Sequence, residues 1–333
     1  MRKTSYNLFG DYMSVREKLL AELDGSDGFR SGGELARLIG VSRNAVWKAA
    51  GELSDEGYSI ETVKGKGYRL SENNSKVFKH QIERFAGDAE IVLLEDTEST
   101  NSAAKQLADN GGEEKTVVIA LKQNAGRGRL GRSFFSPPGG IYMSIILRPL
   151  ISPEKTTLIT AAAAVAAARA VERFSGRKTG IKWVNDIYID GKKICGILTE
   201  GVFGAETGLL DYAVVGIGVN LCGREEQLPR EIRNIAGFVT DRDFTSLLYS
   251  RFVGELLKEF FVIYGDIENR EFLGEYRNRS VLMGKTVTFF KNGTERTAKV
   301  EGIDDGARLV VSENGNMYIL DSGEVSVKCK NLK

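Results

Sequence analysis

The chain has few of the residues that most often carry covalent catalysis or bind zinc. It contains one histidine, His80, and three widely spaced cysteines, Cys195, Cys222 and Cys329, among 333 residues. A single histidine argues against Ser-His-Asp and Cys-His catalysis, and three isolated cysteines provide neither a disulfide framework nor a Cys/His zinc site. Any chemistry must therefore rely on Lys, Arg, Asp and Asn side chains, and the cysteine pattern favours a reduced, cytoplasmic protein.

A strong net charge and long apolar runs are also lacking. The formal charge is +1, so no overall field attracts nucleic acid or a membrane surface. The longest apolar run, 158–168, is rich in alanine, ends at Arg169 and is too short to span a bilayer. The first residues do not have the pattern of a signal peptide. We therefore expect no membrane partner, and the apolar run predicts a buried helix.

The most informative segment is a loop rich in glycine and arginine. Residues 126–132 contain three glycines and three arginines, between the apolar runs 116–121 and 141–147. Glycine lets the backbone approach a ligand closely, and arginine offers a permanent charge with forked donors for phosphate or carboxylate oxygens. The segment predicts a loop between two strands that closes over an anion.

Other interpretations of this loop fit less well. Gly126, Gly128 and Gly131 match G-x-G-x-x-G, but the paired prolines and glycines at 137–140 exclude the helix that a dinucleotide-binding fold requires. The Gly-Lys-Ser/Thr sequence of a Walker loop is missing. A solvated basic loop or an Arg-Gly tether for nucleic acid remains open. The position between two strands favours the ligand-closing loop.

Residues 1–72 have the pattern of a winged helix-turn-helix domain. Helical spacing over 15–23 is followed by helices predicted over 31–40 and 42–56, and then by two short strands around a Lys-Gly-Lys-Gly tip. The residues expected to contact DNA lie in the last of these helices and at the tip: Ser42, Arg43, Asn44, Lys48, Lys64 and Lys66. The alternative is a three-helix interaction domain. Because residues 1–72 hold eleven Lys/Arg and eleven Asp/Glu, one copy should bind DNA weakly and a dimer on a paired site more tightly.

The remaining chain divides into a linker and two domains. The polar segment 73–84 lacks clear periodicity and is predicted to be a linker, with a central domain over 85–275 and a C-terminal domain over 276–333. In the C-terminal domain, short β-rich runs are separated by Asn292-Gly293, Asp305-Gly306 and Asn314-Gly315, pairs that are typical of hairpin turns. This pattern predicts a small SH3-like β-barrel without catalytic residues.

Four further clusters stand out in the central domain. They are the polar segment 96–101, before a helix predicted over 102–107; the segments 181–189 and 191–198, around the hairpin turn Asp190-Gly191; and the glycine-containing apolar run 214–220. The hairpin is expected to bring Lys182, Asp186 and Lys193 together, although each lysine could equally be a surface residue beside a turn. The hydroxyls and amide of residues 99–101 either cap the following helix or bind a polar ligand.

Taken together, these motifs resemble the biotin–protein ligase family. The resemblance rests on five motifs in order: Ser99-Thr100-Asn101; Gln123 with Gly126-Arg127-Gly128-Arg129; Lys182-Trp183-x-Asn185-Asp186; Lys193-x-x-Gly196-Ile197; and Gly216-x-Gly218-x-Asn220. The winged helix and the small C-terminal domain are similar to its bifunctional members, the biotin operon repressors. Val184 stands where the family often has proline, and Phe134 where an adenine-stacking tryptophan is common.

The resemblance implies a multidomain α+β protein. Its central domain would be class II synthetase-like, a mixed sheet with helices, between the winged helix-turn-helix and the SH3-like barrel. Such enzymes join biotin and ATP into biotinyl-5′-AMP, release pyrophosphate and pass biotin to one lysine of a biotin carboxyl carrier protein. The biotin carboxylate is itself the nucleophile, so the scarcity of His and Cys is no obstacle. The protein has to counter the repulsion between carboxylate and phosphate by positioning and by fixed positive charge.

The resemblance also implies roles for individual residues. The catalytic residues would be Lys193, Arg129, Asp186 and Lys182. The biotin-binding residues would be Ser99, Thr100, Asn101, Gln123, Arg127, Gly128, Arg129, Lys193, Gly196, Gly216 and Gly218. The residues binding ATP or the adenylate would be Arg127, Arg129, Arg132, Phe134, Asn185 and Asn220. Asp186 and Asn185 would act near Mg²⁺ or orient Lys182, and the Mg²⁺ ligands stay unassigned.

Regulation would follow from ordering of the loop. If biotinyl-AMP orders residues 122–133, it acts as a co-repressor and permits a homodimer on a two-fold biotin operator. The carrier protein and the second protomer would compete for that surface. Two rival functions remain: a lipoate or other acyl-adenylating ligase, and a ligand-sensing repressor without ligase activity.

Overall fold

The computed structural model describes residues 14–24, 26, 28–71, 76–149, 151–152, 155–204, 208–291 and 294–321. These residues form two compact units that divide between Val77 and Phe78, apart from residues 245–247. Cys329 and the predicted turn Asn292-Gly293 lie outside the described residues.

The first unit contains the predicted helix-turn-helix and hairpin. Its elements are α1 (Val15–Asp24), α2 (Gly32–Ile39), α3 (Arg43–Asp55), β1 (Ile60–Val63) and β2 (Gly67–Leu70). The hydroxyl oxygen of Ser31 accepts from the backbone N–H of Glu34 at 3.1 Å and caps α2. Ser42 caps α3 in the same way through Ala45. Gly40 ends α2 with φ +78°, a conformation that glycine adopts without strain. Local capping therefore confirms the helix boundaries expected from the sequence.

The three helices of the first unit share one apolar core. α1 contributes Leu19 and Leu23, α2 Leu35 and Ile39, and the remaining buried residues come mainly from α3. β1 and β2 pair as an antiparallel hairpin whose tip is formed by residues 64–66. The hairpin is tied to the helices because Arg30 and Tyr68 exchange backbone hydrogen bonds of 2.8 and 2.9 Å.

The second unit is built on a mixed sheet, as predicted. Its strands are β3 (Glu90–Leu94), β4 (Thr116–Ala120), β5 (Ile141–Leu147), β6 (Gly180–Lys182), β7 (Asp186–Ile189), β8 (Lys192–Phe203) and β9 (Leu210–Val219). The sheet order is β3-β4-β5-β9-β8-β7-β6. β3 and β4 are parallel and connected through α5 (Thr100–Asp109), whereas the other neighbours are antiparallel. The helix predicted over 102–107 thus begins two residues earlier, and Thr100 and Asn101 belong to it.

The alanine-rich run forms a buried helix. Helix α6 (Thr156–Ser175) is buried on almost all sides from Thr157 to Val171 and packs against β8. Small side chains allow this close packing of helix and sheet. No helix in the described part of the chain is long and apolar enough to cross a membrane.

The C-terminal strands form an antiparallel meander. They are β10 (Thr286–Lys291), β11 (Thr294–Ile303), β12 (Leu309–Glu313) and β13 (Asn316–Leu320), paired in sequence order. Asn314 and Gly315 take φ values of +51° and +85° in the β12–β13 turn, as an Asn-Gly hairpin requires. At the β11–β12 turn, the residue with a positive φ is Ala307, at +60°, which directly follows the predicted turn pair Asp305-Gly306. The strands match the expectation, and closure into an SH3-like barrel stays a prediction.

The structure differs from the predicted domain boundaries at two places. Lys79–Glu83, placed in the linker, form the short helix α4, in which Ile82 is fully buried. The boundary expected at 275/276 falls inside α8 (Phe272–Asn278), which follows α7 (Ser246–Gly265). The C-terminal meander belongs to the same compact unit as the mixed sheet, to which Trp183 Nε1 connects it by donating to the Ala307 carbonyl at 2.9 Å.

Candidate active site

One cavity in the second unit gathers almost all of the predicted ligand residues. Those that line it are Ser99, Thr100, Asn101, Gln123, Arg127, Gly128, Arg129, Arg132, Phe134, Lys182, Asn185, Asp186, Lys193, Gly196, Gly216 and Gly218. Asn220 is the exception: its side-chain N–H donates to the Gly237 carbonyl at 2.9 Å, and it does not line the cavity. The ligand roles of these residues stay predictions, but the sequence motifs do meet in space.

The start of α5, supported by the buried Ser144, forms the polar end of the cavity. Gln123 Oε1 accepts from the backbone N–H of Thr100 at 2.8 Å, while Ser99, at the N-cap position, makes no side-chain capping bond. The capping role considered for residues 99–101 is therefore filled by Gln123. The Ser144 hydroxyl lies 2.7 Å from Asn101 Oδ1 and 2.8 Å from Thr100 Oγ1, which ties the helix to β5.

The loop rich in glycine and arginine, residues 126–132 (the Gly-Arg loop), folds back on itself beside the cavity. Phe134 N–H donates to the Gly126 carbonyl at 2.8 Å, and Gly128 N–H to the Arg132 carbonyl at 2.7 Å. The loop contains one 3-10 turn, Arg129–Gly131, in place of the helix that a dinucleotide site would need. Gly126 is required here because a Cβ at this position would lie 2.5 Å from the Phe134 carbonyl oxygen.

Opposite charges converge at the other end of the cavity. β7 and β8 form the predicted hairpin, and Lys193 Nζ lies 2.6 Å from Asp186 Oδ1. Lys182 faces Asp186 across the β6–β7 pair. Arg129 Nη1 reaches Asn185 Oδ1 at 3.5 Å. The expected convergence of Lys182, Asp186 and Lys193 is confirmed, and the loop brings Arg129 to the same place.

Arg129 is the most strongly buried cation of the loop. Burial lowers the pKa of its guanidinium from the usual range, while the nearby Asp186 carboxylate opposes that shift. An arginine nevertheless stays protonated at neutral pH. Arg127 and Arg132, by contrast, are exposed. Arg129 therefore supplies fixed positive charge inside the cavity, as stabilisation of an anionic ligand requires.

The glycines of β8 and β9 create a flat wall. A Cβ on Gly218 would lie 2.6 Å from Phe134 Cε1, and one on Gly196 would lie 3.3 Å from Cε2 of the same ring. A Cβ on Gly216 would lie 2.0 Å from Asn101 Oδ1. The Phe134 ring is also packed edge to face against Tyr142, with 6.4 Å between centroids. Because these three positions lack side chains, the Phe134 ring and the Asn101 amide can pack directly against the sheet.

Some residues of this site were missed by the sequence analysis. Tyr142 and Leu198 line the cavity, Ser144 supports α5, and Glu200 bonds to Asn101. Trp183 and Ile197, which stand in the family motifs without an assigned role, also line the cavity. A serine inside the apolar run 141–147 was a signal for Ser144. No local pattern singled out Glu200, because its partners lie about one hundred residues away in sequence.

Neither described cysteine is a nucleophile. Cys195 and Cys222 are free and buried. Burial raises the pKa of Cys195 far above its ordinary range and that of Cys222 to about 11, so both remain thiols at neutral pH. Neither they nor His80 line the cavity. Chemistry in this cavity therefore depends on cations, amides and Asp186.

The candidate DNA contacts lie on the surface of the first unit. The N-cap residue Ser42 and the α3 residues Arg43, Asn44 and Lys48 are exposed, as are Lys64 and Lys66 at the hairpin tip. Arg43 lies over α2, since a Cβ on Gly33 would be 2.6 Å from its Nη2. Trp47, which the sequence analysis did not select, is 66% exposed on the same helix. The arrangement presents one helix face and one basic tip to a partner.

The two units each match a known family. Residues 93–220 match the biotin/lipoate A/B protein ligase family, a span that contains every cavity residue named above, and residues 15–69 match a helix-turn-helix domain family. The chain is 42% identical over 231 residues to the bifunctional ligase/repressor BirA of Bacillus spizizenii, covering 67% of this chain and 70% of that protein. It is 29% identical over 327 residues to the protein of the same name from Escherichia coli, covering 95% and 98%.

A solved structure agrees with the sequence relatives. The biotin protein ligase from Aquifex aeolicus, in complex with biotin and ATP, superimposes with a TM-score of 0.60 at 25% identity, covering 72% of this chain and 99% of that chain. The chain therefore belongs to the biotin/lipoate A/B protein ligase family, in the branch that carries an N-terminal helix-turn-helix domain.

Proposed function

We propose that this protein is a biotin–protein ligase that also represses a biotin operon. The observation that supports the ligase function best is the cavity, in which a polar end, a flat wall and a cationic end meet within the span that matches the ligase family. The relatives named bifunctional ligase/repressor support the two activities in one chain.

In the first step, biotin is activated by ATP. A biotin carboxylate oxygen attacks the α-phosphorus, a mixed carboxylic–phosphoric anhydride forms, and the bond to pyrophosphate breaks. Both reactants are anions, so the step needs cations held at the meeting point. Lys193 and Arg129 are assigned to this point because they lie around Asp186 at the charged end of the cavity. Thr100, Asn101 and Gln123 are assigned to the biotin head group at the polar end.

In the second step, biotin passes to a carrier. The ε-amine of one lysine of a biotin carboxyl carrier protein attacks the acyl carbon, an amide forms with loss of a proton, and AMP leaves. Water competes with this amine for the anhydride, so the site must exclude water until the carrier arrives. The Gly-Arg loop, 126–132, lines the cavity and is assigned this shielding role.

The charged end also suits a magnesium ion bound together with nucleotide phosphates. Asp186 Oδ1 is buried and, although it lies 2.6 Å from Lys193 Nζ, it accepts no hydrogen bond of regular geometry. Mg²⁺ commonly uses one or two carboxylates plus substrate phosphates. We assign Asp186 as the residue that would hold Mg²⁺, which when bound neutralises phosphate charge. The described residues contain no group of three or more His, Cys, Asp or Glu side chains placed to hold a metal ion without the nucleotide.

The ligase function is tested by ATP-dependent transfer to a purified carrier domain. Biotin transfer is read from a streptavidin blot, and the same reaction is run with lipoate in place of biotin. We expect biotinylation that requires ATP and the carrier lysine. Transfer of lipoate without transfer of biotin would overturn the assignment in favour of a lipoate ligase.

The repressor function is tested by DNA binding. We propose that biotinyl-AMP acts as co-repressor, that the adenylate-bound protein dimerises on a two-fold biotin operator, and that all of this takes place in the cytoplasm. A gel shift with operator DNA should therefore be much stronger with biotinyl-AMP than without it, and should coincide with a monomer–dimer shift in sedimentation. A ligand-sensing repressor without ligase activity would pass this test and fail the transfer assay.

A further inference from the structure

Glu200 lies on β8, adjacent to the polar end of the cavity. Its Oε2 accepts from Asn101 Nδ2 at 2.7 Å, and its Oε1 accepts from Lys105 Nζ at 2.6 Å. Arg127 Nη2 of the Gly-Arg loop lies 3.7 Å from the same Oε1. The Glu200 side chain is 19% exposed. One largely buried carboxylate therefore connects a cavity residue, the outer face of α5 and the loop.

The carboxylate of Glu200 is a fixed acceptor. Burial opposes its ionisation, but the hydrogen bonds from Lys105 and Asn101 and the charges of Lys105 and Arg127 outweigh burial and lower its pKa below the ordinary range. An ionised carboxylate accepts hydrogen bonds and donates none. Any group facing Glu200 must therefore present a donor.

This requirement fixes the orientation of the Asn101 amide. Its two N–H groups are used by Glu200 and by the Leu198 carbonyl, at 2.7 and 3.2 Å. Its oxygen accepts from the Ser144 hydroxyl at 2.7 Å. A flipped amide would set its oxygen against both a carboxylate and a carbonyl. Asn101 Oδ1 is consequently held toward Ser144 and against Gly216, a residue of the cavity wall.

The orientation extends to Thr100. Ser144 has one hydroxyl hydrogen, which it donates to Asn101, so the Thr100 hydroxyl donates either to Ser144 at 2.8 Å or to Gln123 Oε1 at 3.1 Å. In both cases the Thr100 hydrogen is used within the protein, and its oxygen keeps a free lone pair. The Thr100 oxygen therefore offers an acceptor at the polar end, which suits a ligand head group that brings donors, as the two N–H groups of a cyclic urea do. A dithiolane ring has none.

We infer that Glu200, which accepts hydrogen bonds from Lys105 and Asn101, is a positioning residue that sets the hydrogen-bond polarity of this end of the cavity and so selects a ligand with N–H donors in its head group. The inference rests on the proposed function, because it concerns the same cavity. It assigns specificity to a residue that does not itself line the cavity.

The substitution Glu200→Gln in the full-length protein tests the inference. Pyrophosphate release is measured as a function of biotin and of ATP, and thermal unfolding is followed with and without biotin. We expect the KM for biotin to rise about 10- to 100-fold, the range for loss of a hydrogen bond to a charged group, and the KM for ATP to stay within about twofold. The biotin-dependent rise in Tm should shrink accordingly. A merely structural role would lower the Tm without ligand and leave the ratio of the two KM values unchanged.

The matched control is Asp88→Asn. Asp88 is an exposed carboxylate that pairs with Lys115 at 2.8 Å and does not line the cavity, so both KM values should stay at the wild-type level. Wild-type protein that neither binds nor activates biotin would overturn the proposed function and the inference with it. An active wild type with an unchanged biotin KM in Glu200→Gln would overturn the inference alone. Should Glu200→Gln not fold, Lys105→Met decides: a biotin KM raised at least about threefold supports the inference, and an unchanged one overturns it.

Discussion

The ammonium of Lys193 lies 2.6 Å from the Asp186 carboxylate, across the β7–β8 hairpin. The two opposite charges of this pair balance each other, and a bound carboxylate and phosphate would compete with Asp186 for the cation. Lys193 is thus held in place before the substrates arrive, which reduces the cost of organising charge during the reaction.

Lys193→Ala is expected to abolish biotin activation. Without the ammonium, the carboxylate and the α-phosphate repel each other, and Asp186 adds a third negative charge. We expect biotin-dependent pyrophosphate exchange to fall by about 100-fold or more, the scale for loss of one preorganised electrostatic contact. Near-normal exchange would refute the assigned role.

The adjacent lysine provides the control. Lys192 belongs to the same strand, but it pairs with Glu225 and does not line the cavity. Lys192→Ala removes the same charge one residue away, so exchange should remain within about twofold of wild type. Equal losses in both variants would indicate damage to β8 and not to the chemistry.

Arg129→Gly should still form the adenylate but release it faster. Arg129 is the most buried cation of the loop, and its side chain lines the cavity beside Asn185. Losing it opens the loop and removes a charge that holds the phosphate. We expect the dissociation rate of labelled biotinyl-AMP, measured by filter binding, to rise at least about tenfold, with a smaller change for biotin alone. Equal dissociation rates in variant and wild type would contradict the shielding role.

Gly216→Ala should block the polar end of the cavity. The added Cβ would lie 2.0 Å from Asn101 Oδ1, and Asn101 cannot move aside because Ser144, Leu198 and Glu200 hold it. Overpacking of this kind costs about 1–3 kcal/mol. Biotin affinity measured by calorimetry should fall about tenfold or more. Gly302→Ala is the control, since a Cβ on this strand glycine would have no neighbour within 4 Å, and its biotin affinity should equal that of wild type.

The sequence predicted the parts of this site that follow local rules. The Asp190-Gly191 turn sets the β7–β8 hairpin, and with it the meeting of Asp186 and Lys193, because both turn residues adopt positive φ. Ser42 identified the start of α3 for a similar reason, since a hydroxyl satisfies a free backbone N–H there. These features depend on a few consecutive residues and can be derived without the fold.

Other parts depend on contacts between distant segments. Gln123, and not Ser99, caps α5, because the chain just after β4 runs beside the segment that precedes the helix, where Thr97 and Gln123 form a parallel bridge. Glu200 is a partner of Asn101 only because β8 passes beside α5. Asn220 follows the glycines of β9 in sequence, yet its amide binds the Gly237 carbonyl, because the chain turns away from the cavity at the end of that strand. Pairings of this kind require the tertiary fold.

Deletion of residues 1–72 should abolish operator binding and leave measurable ligation. The deleted segment contains α1 to β2, whereas every cavity residue lies beyond Phe78. We expect no gel shift with biotinyl-AMP present and at least part of the carrier biotinylation.

In the full-length protein, Lys64→Ala with Lys66→Ala should weaken DNA binding. The slope of log K against log salt concentration should become less steep by about two, because about two phosphate contacts are lost. An unchanged salt slope would show that the hairpin tip does not contact phosphate.

An ionic cluster holds α6 against α8. Arg169 bonds Glu275 at 2.6 Å, and Arg279 bonds Glu172 at 2.6 Å and Glu275 at 2.7 Å. Burial alone would raise the pKa of both carboxylates. Arg169 and Arg279 outweigh it at Glu275, and Arg279 with the hydrogen bonds from Thr179 outweighs it at Glu172, so both pKa values are lowered from the ordinary range. A depressed pKa in the folded state stabilises the fold above the unfolded pKa, and the stabilisation is lost as the pH falls through the folded value.

Glu275→Gln should therefore destabilise the protein at pH 7, by about 1–3 kcal/mol, because two arginines each lose one of their charged partners. The difference in unfolding free energy between variant and wild type, measured by urea denaturation, should stay constant from pH 7 to about pH 5. It should shrink as the pH falls below the unfolded-state pKa of about 4.3 and be lost as the pH falls through the lower pKa of the folded state. Glu301→Gln, in an exposed ion pair with Lys299 on the C-terminal meander, is the control and should change stability little at either pH. A difference for Glu275→Gln that persists unchanged into acid would show that the side chain acts through packing and not through its charge.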